Sequence, residues 1–202
     1  LPNARGTKMR IMTISDDEQT AESEIKRVYD IIKEKAGDYI YAEDEREIEE
    51  VICDLLTSKG LKLAVAESCS GGKLADRLTD VSGSSKYFLR GLVTYSNEAK
   101  TDLLDVPDEL IKSKGAVSEE VAAMMAENVR KKSGADFGLS TTGIAGPTGG
   151  TPEKPVGTIW IGYSDKNVTF AKTFYLGENR KVFKERASQT ALNILLKQLN
   201  KY

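Results

Sequence analysis

The chain's 202 residues suit one domain, or one domain and part of another. A hydrophobic fraction of 40% and a charged fraction of 30% are ordinary for a globular protein, and a formal net charge of −2 advertises no basic surface for nucleic acid. No apolar run approaches the roughly 20 residues that span a bilayer, no signal peptide opens the chain, and with no histidine and only Cys53 and Cys69 a zinc site lacks ligands. The expectation is a cytoplasmic protein with reduced thiols and no membrane or nucleic-acid partner. The missing initiator Met hints at a fragment or a processed chain.

In chain order, "TKMRIMTIS" alternates apolar Met9 and Ile11 with Arg10 and Met12, a strand pattern. "DDEQTAESEIKRVYDIIKEKAG" predicts a helix capped by Ser15 or Asp16, with Ile25, Val28, Tyr29 and Ile32 at helical spacing and Gly37 as its stop. "YIYA" predicts a second short strand. A unit this small buries too little surface to fold alone. The acidic stretch "EDEREIEE" opens a second helix with a stripe of Ile48, Val51, Ile52, Leu55 and Leu56, ending at Gly60. "LKLAVA" predicts a buried strand and "GGKLADRLTD" the helix after it. "YFLRGLVTYS" predicts a strand, "NEAKTDLL" a short helix, and "SEEVAAMMAENVRKKSG" a helix capped by Ser118. "ADFGLSTTG" predicts a strand running into a Gly/Pro-rich loop, Gly143 to Pro155. "VGTIWIGYS" and "NVTFAKTFYL" predict a hairpin across "DK", and "NRKVFKERASQTALNILLKQLN" a closing helix. The alternation predicts an α/β fold, a layered mixed sheet with helices on both faces, preceded by a small α+β N-terminal remnant.

Three segments carry candidate chemistry. In "VAESCSGGKLA" a buried strand ends, small polar residues and two glycines follow, and a helix starts. Ligands of open α/β sheets bind beyond such strand ends, and backbone N–H groups there can hold an oxyanion. Ser68, Cys69 and Ser70 are all nucleophile candidates, with a helix-capping serine as the plain alternative. With no histidine, the base must be a lysine, a tyrosine or a carboxylate. "TYSNEAK" offers Tyr95 and Lys100 at a second strand-to-helix junction. A free lysine has a pKa of about 10.4, so it needs burial or a neighbouring cation, such as Arg90, to act as a base. The third segment, "STTGIAGPTGGTPEKPVGT", holds five glycines and three prolines up to Gly157. Its hydroxyls and bare N–H groups suit a phosphate or ribose, although it matches neither the P-loop nor the dinucleotide fingerprint.

"AESCSGG", "GLVTYSNEAK", "GAVSEEVA" and "TTGIAGPTGGTPEKPVGT" together resemble the CinA C-terminal domain, the nicotinamide-nucleotide amidohydrolase family. The resemblance covers residues 45–202, while residues 1–44 resemble the end of the KH-like middle domain of full-length CinA proteins. It implies hydrolysis of the carboxamide of nicotinamide mononucleotide to nicotinic acid mononucleotide and ammonia, a step of pyridine nucleotide salvage and NAD metabolism. It implies Ser68 as nucleophile, Lys100 as base and Tyr95 as proton relay or orienting group, with no cofactor and no metal. Ser70 stands where the family commonly has threonine, and the choice between Ser68 and Ser70 stays open. The substrate-binding set assigned with it is Ser70, Gly71, Gly72, Asn97, Thr141, Thr142, Gly143 and Gly146. The small-molecule nucleotide is the expected partner, in a homo-oligomer. A catalytically silent nucleotide-binding module is the alternative.

Overall fold

The computed structural model describes residues 3–202. Five strands form one sheet: β1 (Leu63–Glu67), β2 (Phe88–Val93), β3 (Phe137–Gly143), β4 (Thr158–Ser164) and β5 (Thr169–Tyr175). Their order is β2-β1-β3-β4-β5. β1 pairs parallel with both β2 and β3, whereas β3, β4 and β5 run antiparallel. Seven helices accompany them among the described residues: α1 (Glu18–Ala36), α2 (Ile48–Ser58), α3 (Lys73–Asp80), α4 (Asn97–Leu104), α5 (Asp108–Lys114), α6 (Glu119–Ser133) and α7 (Arg180–Leu199). None is long and apolar enough to cross a membrane.

The period of two along β1 sorts the core into two layers. Leu63 and Val65 face α2, α3 and α7, and pack with Ile52, Leu74, Leu78, Phe183 and Leu195. Ala64 and Ala66 face the other way, toward Leu104, Ile111, Val121 and Met125 of α4, α5 and α6. That second face carries small residues because α6 lies close on it. A Cβ on Gly138 would come 2.0 Å from the carbonyl oxygen of Ala126, and one on Gly162 would come 2.3 Å from that of Ala122. Ser140 uses the same proximity to donate to the Ala122 carbonyl at 2.6 Å.

On the opposite face the helices are tied by a buried cation. Arg77 of α3 is fully buried and places its guanidinium on both Glu49 carboxylate oxygens, at 3.0 and 2.6 Å. Two further donors reach Gln189 at 2.9 Å and Ser188 at 3.2 Å, so α2, α3 and α7 share one network. Removing one partner of such a pair leaves an uncompensated buried charge. Arg77→Ala is therefore expected to lose about 3–5 kcal/mol of stability, read from urea unfolding, with much of it recovered in Arg77→Met/Glu49→Leu. A single variant that unfolds within about 1 kcal/mol of the parent would deny the network this role.

The N-terminal segment differs from expectation. The helix is present as α1, capped by Asp17, whose carboxylate accepts from Thr20 N at 2.8 Å. The two flanking strands are not. Apart from an isolated bridge at Thr7, residues 7–15 form no ladder, and "YIYA" starts on the last residue of a 3-10 turn, Gly37–Tyr39, and continues as irregular chain. Alternating apolar residues make a strand only where another strand supplies hydrogen bonds, and these find none among the described residues. Met9, Met12 and Ile14 are accordingly exposed.

Candidate active site

The carboxyl ends of the three parallel strands meet at one cavity. Its walls are Ser68 and Cys69 after β1, Tyr95, Asn97 and Lys100 after β2, Ala116 and Val117 before α6, Thr142 and Gly143 at the end of β3 with Ala145 beyond it, and Arg180 opening α7. The cavity encloses about 200 Å³. The strand ladders extend past the strands to hold these residues. Ser68 N donates to the Thr141 carbonyl at 2.9 Å, and Thr94 N to the Glu67 carbonyl at 2.7 Å.

The turn between β1 and α3 closes at Gly71 and Gly72, whose φ angles of +60° and +90° only glycine adopts without strain. Gly72 caps α3 without a side chain. The buried Glu67 carboxylate takes over, accepting from Leu74 N at 3.0 Å and Ala75 N at 2.7 Å. Glu67 is thereby a structural clamp on the helix start.

Ser68 and Lys100 face each other. Lys100 is 1% exposed and its Nζ lies 3.2 Å from Ser68 Oγ. The same Nζ donates to the carbonyls of Thr94 at 2.9 Å and Ser96 at 3.3 Å, with Tyr95 O at 3.5 Å. Burial pushes the Lys100 pKa below the ordinary lysine value, against weaker upward pulls from Cys69 and Glu98. Arg90 has no part in this shift; it donates instead to the Lys132 carbonyl. A neutral amine has two N–H donors and one lone pair. Here Nζ lies within donating distance of the Thr94 and Ser96 carbonyls and of Ser68 Oγ.

The other nucleophile candidates are placed differently. Ser70 is fully buried and its hydroxyl bonds Thr141 Oγ1 at 2.6 Å, inside the protein and off the cavity wall. Cys69 lies on the wall, but burial pushes its thiol up to about 12, so it stays protonated. Of the three candidates, Ser68 is the one on the cavity wall whose hydroxyl lies beside Lys100.

Tyr95 is exposed at the mouth, where its hydroxyl accepts from Arg180 Nη2 at 2.9 Å. Arg180 Nη1 donates to the Gly146 carbonyl at 2.9 Å, so Gly146 meets the cavity through Arg180. Asn97, Thr142 and Gly143 lie on the wall, and Thr142 donates its hydroxyl proton to Ala116 O at 2.8 Å. Thr141, Gly71 and Gly72 do not line the cavity. The outer part of the Gly143–Pro155 loop surrounds a separate hollow with Pro147, Thr148 and Glu178. Arg180 is the charged cavity residue that sequence reasoning missed, and Ala116, Val117 and Ala145 are the apolar ones. A signal existed: α7 opens with two cations and no acid, against the helix dipole.

The model of the CinA C-terminal domain matches residues 45–199. The chain belongs to the CinA family. A CinA-like protein of Chloroherpeton thalassium is 45% identical over 204 residues, covering 99% of this chain and 49% of its own length. One from Chlorobaculum tepidum is 48% identical over 98% of this chain and 48% of its own. The chain thus spans about half the length of the curated CinA relatives it matches. Among solved structures, the competence/damage inducible protein CihA of Agrobacterium tumefaciens superposes with a TM-score of 0.73 at 39% identity, covering 76% of this chain and 93% of that one. The mixed five-stranded sheet with its flanking helices is the CinA fold.

Proposed function

We propose that this chain hydrolyses the carboxamide of nicotinamide mononucleotide, releasing nicotinic acid mononucleotide and ammonia. The observation that carries the reading is the buried Lys100 Nζ 3.2 Å from Ser68 Oγ on a cavity wall, in a chain without histidine. Ser68 attacks the amide carbon as Lys100 takes its proton. Lys100 then returns that proton to the departing nitrogen, leaving an acyl-serine that water hydrolyses by the same base. Tyr95, held by Arg180, orients the substrate at the mouth.

Charge selects the substrate. The cavity wall carries Lys100 and Arg180 and no carboxylate. With Lys100 neutral in its role as base, Arg180 is the permanent cation for the 5′-phosphate. A charge-assisted bond contributes about 1.5–3 kcal/mol. Arg180→Ala is thus expected to raise KM for the mononucleotide about 10–100-fold with a smaller change in kcat. The same variant should lose less on nicotinamide riboside, which has no phosphate, the residual loss reporting the Tyr95 contact. An unchanged KM for the mononucleotide would remove Arg180 from the phosphate site.

A coupled ammonia assay with nicotinamide mononucleotide, nicotinamide riboside and free nicotinamide tests the whole reading. The mononucleotide should be the preferred substrate. Ammonia from none of the three, with the mononucleotide still bound in calorimetry, would make the chain a silent binding module instead.

A further inference from the structure

Few charges act on Lys100. In the turn after β1, Glu67 spends its carboxylate on Leu74 N and Ala75 N, and burial holds the Cys69 thiol protonated. On α4 itself, Glu98 exerts a weak upward pull from an exposed position. On the neighbouring helices, Asp108 of α5 is paired with Lys112, and Glu120 of α6 with Lys114. Tyr95 and Arg180 stand at the mouth, bonded to each other. Among the described residues no carboxylate lines the cavity, so nothing on its wall offsets a second positive charge beside Lys100. The proposed substrate brings one. Its carboxamide is attached directly to an N-alkylated pyridine ring, which carries a fixed positive charge.

That ring cannot stand far off. Lys100 Nζ lies 3.2 Å from Ser68 Oγ. An attacked carbon sits about 3–3.5 Å from its nucleophile, and the ring begins one bond beyond it, which puts the ring charge within about 10 Å of Nζ. Salt screens little inside so small a cavity. Two unit charges about 10 Å apart, at an effective dielectric constant of about 20, shift each other's titration by about one pH unit. We infer that the proton on Lys100 and the positive ring of the substrate exclude one another, so that substrate binding itself secures the free amine. The inference rests on the amidase reading above and gives the ring a task that a neutral amide could not perform. By linkage it runs both ways: a protonated Lys100 weakens binding of the ring, and the bound ring expels the proton.

Two measurements on the full chain test this. In the first, the Ser68→Ala chain, which should bind without turnover, is titrated calorimetrically with nicotinamide mononucleotide in buffers of different ionisation enthalpy. The 1,4-dihydro form of the mononucleotide, with a neutral ring and the same phosphate, is titrated alongside. At the midpoint of the parent's acidic limb in kcat/KM, the oxidised ligand should release about 0.4 proton more than the dihydro form. Ser68→Ala/Lys100→Met should erase the difference. Equal release by the two ligands, or a difference that survives Lys100→Met, overturns the inference. The second measurement needs no variant, so it stands even if Ser68→Ala disturbs the fold. With the mononucleotide, the acidic limb of kcat should lie about one pH unit below that of kcat/KM, because kcat reports the complex and kcat/KM the free chain. Coincident limbs overturn the mutual exclusion and leave the amidase reading standing. No ammonia from the parent at any pH overturns the amidase reading, and this inference with it.

Discussion

Ser68→Ala is expected to abolish ammonia release, by roughly four to six orders of magnitude in kcat, while the chain still melts as the parent does. The size follows from the absence of a deputy. Ser70 is turned into the interior against Thr141, and the Cys69 thiol stays protonated with a pKa of about 12. Neither inherits the Lys100 lone pair. The fold should be indifferent, because the backbone bond from Ser68 N to Thr141 O survives and only the contact with Lys100 is lost. One hydrogen bond amounts to about 1 kcal/mol. Turnover and melting are best read on one preparation. Near-normal turnover would mean that a different nucleophile operates.

Lys100→Arg should be nearly as damaging, on the order of 10²–10⁴-fold in kcat/KM, because arginine does not deprotonate. A cationic binder in the same place would tolerate the change. The pH profile separates the two roles further. Burial lowers the Lys100 pKa, so the parent's kcat/KM should rise with pH through that lowered value as the free amine appears. Stability carries the same signature. The folded pKa lies below the unfolded value near 10.5, so between the two the unfolded chain binds more protons. Stability therefore climbs with pH across that window, and below it the buried ammonium costs stability. Lys100→Met should lack the climb. Substantial activity in Lys100→Arg, or no acidic limb in the parent, would end the general-base assignment.

Much of this architecture was legible because its signals are local. The stripe of Ile48, Ile52 and Leu56, the Ser118 cap of α6 and the hairpin of β4 and β5 can each be read from a few neighbouring residues. α5 escaped notice because seven residues with Ile111 as their one buried side chain are too few to show a period. Its punctuation was nevertheless present: Pro107 and two acids at the start, lysines near the end and Gly115 after it. The N-terminal strands were over-read for the opposite reason, since alternation marks a possible face and never its partner. In the site, two strand ends and a missing imidazole led to Ser68, Cys69 or Ser70 beside a lysine, tyrosine or carboxylate base, and the family resemblance singled out Ser68 and Lys100. The period of two would also have parted Thr142 from Thr141. Along β3, Phe137, Leu139 and Thr141 point to the α3 side, and Gly138, Ser140 and Thr142 to the α6 side. Arg180 reaches the site through the tertiary packing of α7, and the local sequence marks it only by its unfavourable place at a helix start.

The ladder bonds that run one step past β1 and β2 give turnover an unusual diagnostic value. The proposed nucleophile, Ser68, follows one strand and the proposed base, Lys100, follows its neighbour. A slip of one residue between them would displace the pair by about 3.3 Å and turn alternate side chains to the wrong face. A misaligned sheet would still contribute strand signal to circular dichroism, yet it could not pass a proton from Ser68 to Lys100. In a refolding experiment, ammonia release thus counts molecules whose strands have found their correct alignment. The gap between recovered ellipticity and recovered turnover measures the misaligned fraction directly.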